Sequence, residues 1–252
     1  MEAKSAINNE IYNVLGERWY TAYDNPVALL RQESKIKIPW VLNKIEQQHS
    51  KNHHLKILDV GCGAGFLSNR LAQESFEVHG IDLSEESLYV AQKYDLTGKV
   101  HYQKADAYNL PYLEGEFDIV LAMDFLEHVE SPEQVVKEIS RVLKPGGLFF
   151  FHTFNRNFLA HVVIIKLVEL LVKNTPKNMH VAELFIKPSE LRQFCQNHQM
   201  KIEDMIGIRP VLSSITLKSL LTGHVPVDFS FTLTKSLMLS YMGYALKEDL
   251  LR

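Results

Sequence analysis

The sequence predicts an α/β fold in which a mostly parallel sheet of seven strands carries helices on both faces. Two observations lead to this prediction. Short apolar runs alternate with helical patterns between residues 55 and 153, which is typical of successive βαβ units. The first of these runs leads into a glycine-rich turn that begins a helix. With 252 residues, of which 46% are apolar, the chain can form one substantial core.

The predicted elements follow from hydrophobic periodicity and from residues that begin and end helices. Two helices come first, near Ile7–Leu15 and over Asn25–Gln48, and are expected to form a cap over the mouth of the cofactor site. The core is predicted as strands at Lys56–Val60, Glu77–Ile81, Val100–Lys104, Phe117–Ala122 and Gly147–Thr153, and as helices at Phe66–Glu74, Glu85–Tyr94 and Pro132–Val142. Helices at Phe158–Val172 and Pro188–His198 and strands at Lys201–Ile208 and Leu239–Leu246 follow. No element is predicted over residues 209–235.

The chain divides on this prediction into a helical cap (1–50), a core that carries the sheet (51–155) and a lid region (156–252).

The formal net charge of −3 provides no basic field, so no nucleic-acid partner is expected. Cys62 and Cys195 are too few for a disulfide framework, which fits a reducing cytoplasm. The amino-terminal segment lacks the apolar stretch of a secretory signal, and no apolar run is long enough to span a bilayer. The sequence leaves a homo-oligomer open.

A cofactor site is predicted where the first core strand leads into a glycine loop. The loop residues are Gly61, Cys62, Gly63 and Gly65. Asp82 ends the next strand about 20 residues after the loop, where a carboxylate can accept hydrogen bonds from two ribose hydroxyls. The G-x-G-x-G spacing lacks the third glycine of a dinucleotide site, and Asp59 would repel a pyrophosphate but can pair with the ammonium of an amino acid. The pattern therefore favours S-adenosylmethionine over a nicotinamide dinucleotide.

Asp106 and Ala107 follow the third strand, at the same edge of the sheet. An acidic side chain and a backbone N–H at this place can read the edge of an adenine ring. A plain loop residue at Asp106 is the alternative.

Several motifs, in the order LDVGCGAG, GIDLS, KADAYNLP, FDIVLAMDFLEHV and LKPGG, resemble the class I S-adenosylmethionine-dependent methyltransferases, whose fold is Rossmann-like. Narrower motifs, INNEIYNVLGERWY, FHTFNRN, TPKNMH and FIKPSEL, resemble the ubiquinone-biosynthesis O-methyltransferases, which methylate polyprenyl phenols and catechols. The resemblance runs over roughly residues 7–247. It implies that Met123 touches the cofactor, and Leu83 is expected to pack on the adenine.

The resemblance also implies how the reaction is assisted. A catechol hydroxyl has a pKa near that of tyrosine, roughly 10, so a base or a divalent cation must help at neutral pH. His128 is the candidate base. The resembled family carries magnesium, manganese or zinc on two acidic residues and this histidine, which correspond here to Asp124, Glu127 and His128. Aspartate stands at the first position where the family usually has glutamate. A solvated helix start at Asp124 and Glu127, and a packed His128, are the alternatives.

Asn155, Arg156 and Asn157 follow the fifth core strand and are expected to hydrogen-bond the acceptor ring or to fix a lid; a plain loop is the alternative.

The segment Phe158–Val172 has 12 apolar residues among 15. It is too short to span a bilayer and unusually apolar for a surface helix. It is either a buried core helix or an interfacial helix that admits a polyprenyl substrate from the membrane, with Lys173 and Lys177 near anionic head groups.

The sequence thus predicts a cytoplasmic O-methyltransferase, peripherally associated with the inner membrane, that acts on a polyprenyl phenol. A methyltransferase for another small soluble acceptor would share the cofactor site and differ in the acceptor pocket. A cofactor-binding module without catalysis would have a blocked or unreactive pocket. The glycine spacing and Asp59 argue against a nicotinamide-dependent oxidoreductase.

Overall fold

The computed structural model describes residues 8–49 and 54–249, and these form an eight-stranded sheet with helices on both faces. The strands are β1 (Lys56–Val60), β2 (Glu77–Asp82), β3 (His101–Lys104), β4 (Phe117–Met123), β5 (Leu143–Phe154), β6 (Met200–Pro210), β7 (Phe231–Thr234) and β8 (Ser240–Lys247). They lie in the order β3-β2-β1-β4-β5-β8-β6-β7. The first five strands pair in parallel and the last three pair antiparallel. The carboxyl ends of β1, β2, β3 and β4 therefore share one edge of the sheet.

The helices are α1 (Arg18–Thr21), α2 (Val27–His49), α3 (Phe66–Gln73), α4 (Glu85–Lys93), α5 (Pro132–Val142), α6 (Phe158–Ala160), α7 (Val168–Leu171), α8 (Pro188–Asn197) and α9 (Leu217–Thr222). A π-helical stretch, His161–Leu167, joins α6 to α7. We call residues 158–171 the lid helix. Among the described residues, no helix combines the length and the apolar content needed to cross a membrane.

Both faces of the sheet are buried because side chains on a strand alternate between faces. In β5, Phe149 and Phe151 join one core, which α5 and α8 cover, whereas Leu148 and Phe150 join the other. Val41 of α2 packs in that second core. This burial on two sides explains the near-continuous apolar runs that predict the central strands.

The five core strands and three core helices lie where the sequence predicts them, with small differences at their ends. The predicted count of seven strands is wrong by one, since β7 adds an eighth at the sheet edge. β7 has four half-exposed residues and pairs only with β6, so it lacks the apolar run of a buried strand. The helix predicted near Ile7–Leu15 reduces to a 3-10 turn at Glu10–Asn13, and Ile7 lies outside the described residues. The division into 1–50, 51–155 and 156–252 stays a prediction, and the sheet continues across the second boundary.

Candidate active site

The loop between β1 and α3 requires glycine at two points. Gly61 and Gly65 have φ angles of +70° and +77°, a conformation that residues with a Cβ rarely adopt. A Cβ on Gly61 would lie 2.1 Å from the Phe125 ring, and one on Gly65 would lie 2.3 Å from the Tyr102 hydroxyl. Backbone conformation and close packing therefore both exclude larger residues from these two positions.

A cavity of about 490 Å³ lies beside this loop at the carboxyl ends of the parallel strands, and we call it the cofactor cavity. Its volume suits a small-molecule ligand. Nine of the ten predicted cofactor residues line it: Asp59, Gly61, Cys62, Gly63, Asp82, Leu83, Asp106, Ala107 and Met123. Gly65, the tenth, is the N-cap of α3 and packs against Tyr102 instead. The structure thus brings together positions that lie far apart in the sequence.

Two carboxylates give the cofactor cavity its charge. The Asp82 oxygens accept hydrogen bonds from the backbone N–H groups of Gly63 at 2.9 Å and Ser84 at 2.8 Å, and each oxygen keeps a lone pair for a ligand hydroxyl. Burial raises the pKa of Asp82. Burial also raises the pKa of Asp59 to about 7, although the Ser68 hydroxyl donates to its Oδ2 at 2.6 Å. A ligand ammonium beside Asp59 would favour the ionised carboxylate, so the residues fit S-adenosylmethionine.

Tyr12 and Trp19 close the cofactor cavity from the amino-terminal segment. Their rings stack with centroids 5.5 Å apart. The Tyr12 carbonyl accepts hydrogen bonds from the hydroxyls of Ser84 and Ser87 at 3.2 and 3.0 Å, which fixes the segment onto α4. Sequence reasoning missed both aromatic residues, because the segment forms only a 3-10 turn and the four-residue helix α1, too short for a periodic pattern.

A second cavity, of about 460 Å³, lies under the lid helix, and we call it the lid cavity. Tyr12, Leu30, Asp124 and His128 line both cavities, so the two meet at these residues. Most of the remaining lining is apolar. The lid helix contributes Val163, Ile164, Leu167, Val168 and Leu171, and the chain after β6 contributes Leu212, Ile215, Leu220, Phe229 and Phe231.

Two histidines face each other where the cavities meet. The rings of His128 and His180 have centroids 5.4 Å apart, and both line the lid cavity. His128 Nδ1 lies 3.1 Å from the Asn9 side-chain oxygen, and its Nε2 lies 3.4 Å from the Tyr12 hydroxyl. Burial lowers the pKa of His128 to about 4. Burial, and next the neighbouring His128, lower the pKa of His180 to about 3. Both rings are therefore neutral at pH 7.

The predicted cation ligands do not form a common site. Asp124 is engaged on both oxygens: Lys37 Nζ lies 2.5 Å from its Oδ2, and His152 Nδ1 lies 2.5 Å from its Oδ1. Burial raises the pKa of Asp124, but Lys37 and His152 together bring this pKa below its usual value. Glu127 is fully buried, and its Oε2 accepts a hydrogen bond from the Thr153 hydroxyl at 2.8 Å.

Burial raises the pKa of Glu127 to about 7, with a further contribution from Asp124, which weakens it as a cation ligand. His128 contacts Asn9 and Tyr12 instead. Among the described residues, the group of three His, Cys or acidic side chains whose ligand atoms all lie within 4.8 Å of one another is Glu33, Asp124 and His152. The predicted set Asp124, Glu127 and His128 therefore does not fit a divalent cation in this structure.

Asn155, Arg156 and Asn157 lie after β5 and line neither cavity. The Asn155 side chain donates to the Leu237 carbonyl, and Arg156 forms an ion pair with Glu190 of α8. Asn157 caps the lid helix, since its Oδ1 accepts from the Ala160 N–H at 3.0 Å. These bonds anchor the start of the lid helix. The structure gives no support to the other expected role of these residues, a hydrogen bond to the acceptor ring.

Solved structures of methyltransferases share this fold. Magnesium protoporphyrin IX methyltransferase from Synechocystis PCC 6803, solved with bound SAH, is 18% identical, with a TM-score of 0.65 over 95% of this chain and 97% of that chain. A possible histamine N-methyltransferase from Thermotoga maritima is 20% identical, with a TM-score of 0.60 over 92% of this chain and 94% of that chain. The family model described as methyltransferase domain matches residues 58–151. Fold and site thus define a class I S-adenosylmethionine-dependent methyltransferase, and the prediction of this cofactor is confirmed.

Relatives in sequence narrow the class. A ubiquinone biosynthesis O-methyltransferase from Azoarcus sp. (strain BH72) is 32% identical over 240 residues, which cover 94% of each protein. One from Shewanella pealeana is 36% identical over 215 residues, 84% of this chain and 85% of that protein. The chain belongs to the ubiquinone biosynthesis O-methyltransferase family, which confirms the resemblance carried by its narrower motifs.

Proposed function

We propose that this chain transfers the methyl group of S-adenosylmethionine to a hydroxyl of a polyprenyl phenol or catechol in ubiquinone biosynthesis. One observation carries the proposal: an apolar cavity under the lid helix meets the cofactor cavity at Asp124 and His128. S-adenosylmethionine supplies an electrophilic methyl group on a sulfonium sulfur. An aromatic acceptor at the junction would present its hydroxyl to that methyl group, while its isoprenoid tail fills the apolar remainder of the lid cavity.

His128 is the residue we assign as general base. Because Asn9 offers an oxygen to Nδ1, the proton of the neutral ring resides on Nδ1, and the Nε2 lone pair points to the junction, where the Tyr12 hydroxyl lies 3.4 Å away. The acceptor hydroxyl would replace that of Tyr12 as the donor to Nε2. Nε2 then accepts the hydroxyl proton of the acceptor as the methyl group is transferred. His180, opposite His128, is placed to accept or donate a hydrogen bond to the second oxygen of a catechol. This assignment uses side chains of the protein alone, and the divalent cation is left out because its predicted ligands do not fit.

We also propose that the lid helix docks on the membrane. Its inner face lines the lid cavity, whereas Phe158 and Leu170 are 83% and 76% exposed. α9 adds Leu217 and Leu221, which are 73% and 78% exposed. The N–H of Lys173 donates to the Gly223 carbonyl at 2.8 Å, so the end of α9 contacts the chain just beyond the lid helix.

Exposed lysines accompany these apolar side chains: Lys166, Lys173, Lys177 and Lys218. They would face anionic head groups of the inner membrane from the cytoplasm, beside the cavity that takes the tail. Two alternatives are expected for Phe158–Val172, a buried core helix and an interfacial helix. We favour the interfacial helix, because one face of it lines the lid cavity and the other carries exposed apolar side chains.

The test uses catechols and phenols that differ only in tail length, dispersed in detergent so that membrane binding plays no part. We expect the enzyme to transfer the labelled methyl group of S-adenosylmethionine to both long-tailed and short-tailed catechols. Val168→Trp, which fills the lid cavity, should raise KM for the long tail about tenfold, the effect of excluding about two methylene groups. Leu113→Trp is the matched control, since Leu113 is exposed and lines neither cavity.

For short-tailed substrates, KM should be the same for wild type and for Val168→Trp. Methylation of soluble phenols only, with no dependence on the tail, would instead support the small-acceptor alternative. Absence of transfer to every acceptor, despite cofactor binding, would support a module without catalysis.

A further inference from the structure

We propose that Lys37 is a resident cation: its ammonium fills the place among Glu33, Asp124 and His152 that would otherwise bind a divalent metal ion. The wild-type protein then needs no metal at this place, and removal of Lys37 opens a metal site. The inference goes beyond the proposed methylation, and its main test measures metal binding, so it can fail or succeed independently of the acceptor assignment.

The three potential ligands come from different parts of the fold and converge at Asp124, where the cavities meet. Glu33 lies on α2, Asp124 directly follows β4, and His152 lies on β5. One ligand atom from each lies within 4.8 Å of the others. Two carboxylates with an imidazole form a donor set that manganese or zinc accepts in proteins.

Lys37 occupies this cluster. Its Nζ lies 3.1 Å from Glu33 Oε2 and 2.5 Å from Asp124 Oδ2, and its side chain is only 4% exposed. A divalent ion would need the same two carboxylates. Because two cations at such short separation in a buried site repel strongly, the ammonium and the metal ion exclude each other.

An unpartnered ring nitrogen also points to a ligand position within the cluster. His152 is fully buried, and among the described residues neither of its ring nitrogens makes a hydrogen bond, although Nδ1 lies 2.5 Å from Asp124 Oδ1. Nε2 lies 3.7 Å from Glu33 Oε1, too far for a hydrogen bond. The cluster therefore keeps a donor atom that Lys37 does not use and that a metal ion would use.

Lys37 lines the cofactor cavity beside Asp124, which lines both cavities. We regard Lys37 as a positioning residue because its ammonium holds the Asp124 carboxylate. Its positive charge neutralises one of the two buried carboxylates and holds Asp124 at the junction without a metal. Asp124, which this cluster shares with the predicted set Asp124, Glu127 and His128, is thereby paired with a cation of the protein itself.

The test is a titration of chelator-treated protein with Mn²⁺. Binding is measured from the electron paramagnetic resonance signal of free Mn²⁺, and stability from the midpoint of thermal unfolding. Wild type should bind no stoichiometric Mn²⁺ and keep its unfolding midpoint. Lys37→Ala should bind one Mn²⁺ at least tenfold more tightly than wild type and should unfold at a higher temperature when Mn²⁺ is present. Lys35→Ala is the matched control, because Lys35 is an exposed lysine of the same helix.

Two further variants sharpen the result. Lys37→Arg keeps a cation in place and should resemble wild type, and Lys37→Ala with His152→Gln should lose the acquired Mn²⁺ affinity. Stoichiometric metal in wild type, together with loss of turnover on chelation, would overturn the proposal. A folded Lys37→Ala with wild-type Mn²⁺ affinity would overturn it too, as would a Lys37→Ala that stays unfolded with Mn²⁺ present, since the ion should compensate the buried carboxylates.

Discussion

Membrane docking depends on apolar side chains that the fold leaves in solvent, and the structure identifies which ones to change. Leu170 and Leu221 are 76% and 78% exposed, one on the lid helix and one on α9. Full burial of a leucine stabilises by about 1.5–3 kcal/mol, so burying about three quarters of both contributes about 2–5 kcal/mol. Leu170→Ser combined with Leu221→Ser should therefore weaken binding to vesicles by roughly 30-fold or more.

The assay is co-sedimentation with vesicles that contain anionic lipids, together with turnover of long-tailed and short-tailed catechols. Leu96→Ser with Leu113→Ser is the matched control, because these leucines are 87% and 78% exposed but precede β3 and β4 at the opposite edge of the sheet. S-adenosylmethionine affinity and short-tail turnover should remain at wild-type values in both double variants, since none of the four leucines lines a cavity.

Either of two results would refute this reasoning: wild type that does not sediment with the vesicles, or a Leu170/Leu221 variant that sediments as well as wild type. Val163 and Leu167 are unsuitable targets, although they lie at the centre of the apolar stretch. Both line the lid cavity, so their substitution would disturb acceptor binding and membrane binding together.

Three further predictions concern the reaction site. Asp82→Ala should weaken S-adenosylmethionine binding by about 2–3 kcal/mol through lost hydrogen bonds to a charged group, and unchanged affinity by calorimetry would remove Asp82 from the site. Because the pKa of Asp59 is about 7, affinity should fall as the pH drops below 7 and the carboxylate becomes protonated; Asp59→Asn should bind weakly at every pH, and a retained pH dependence would contradict this. His128→Gln should lower kcat by about 100-fold or more with little change in cofactor affinity, and near-normal turnover would exclude it as the base.

The sequence predicts most of the fold because its signals are local. β1, the glycine loop and α3 form one uninterrupted stretch, and the apolar runs of the buried strands need no knowledge of their neighbours. β7 is different, because its four residues form a strand only through pairing with β6. The role of Asn157 is likewise set by tertiary structure, since a capping asparagine and an asparagine that binds a ligand look alike in sequence.

The buried charges of Glu33 and Lys37 are, like Tyr12 and Trp19, a part of the site that sequence reasoning missed. Lys37 lies 87 residues from Asp124 along the chain, so no motif spans the contact. A signal was nevertheless present in α2. Glu33 and Lys37 are four residues apart on the helix stripe that also carries Val41 and Ile45, and all four are buried. Paired charges on an apolar stripe indicate a buried ionic contact, which the amphipathic pattern alone does not assign to a partner.

The backbone at Asp124 explains how three consecutive residues can line the cofactor cavity. Met123, Asp124 and Phe125 are consecutive, yet all three line the cofactor cavity, which an extended strand cannot achieve because its side chains alternate. Asp124 has a φ of +57°, and its N–H donates to the His152 carbonyl at 3.1 Å, so the chain turns directly after β4. Aspartate adopts this left-handed conformation more readily than most residues. The position is therefore constrained twice, by the turn that exposes the segment to the cofactor and by the carboxylate that Lys37 and His152 hold at the junction.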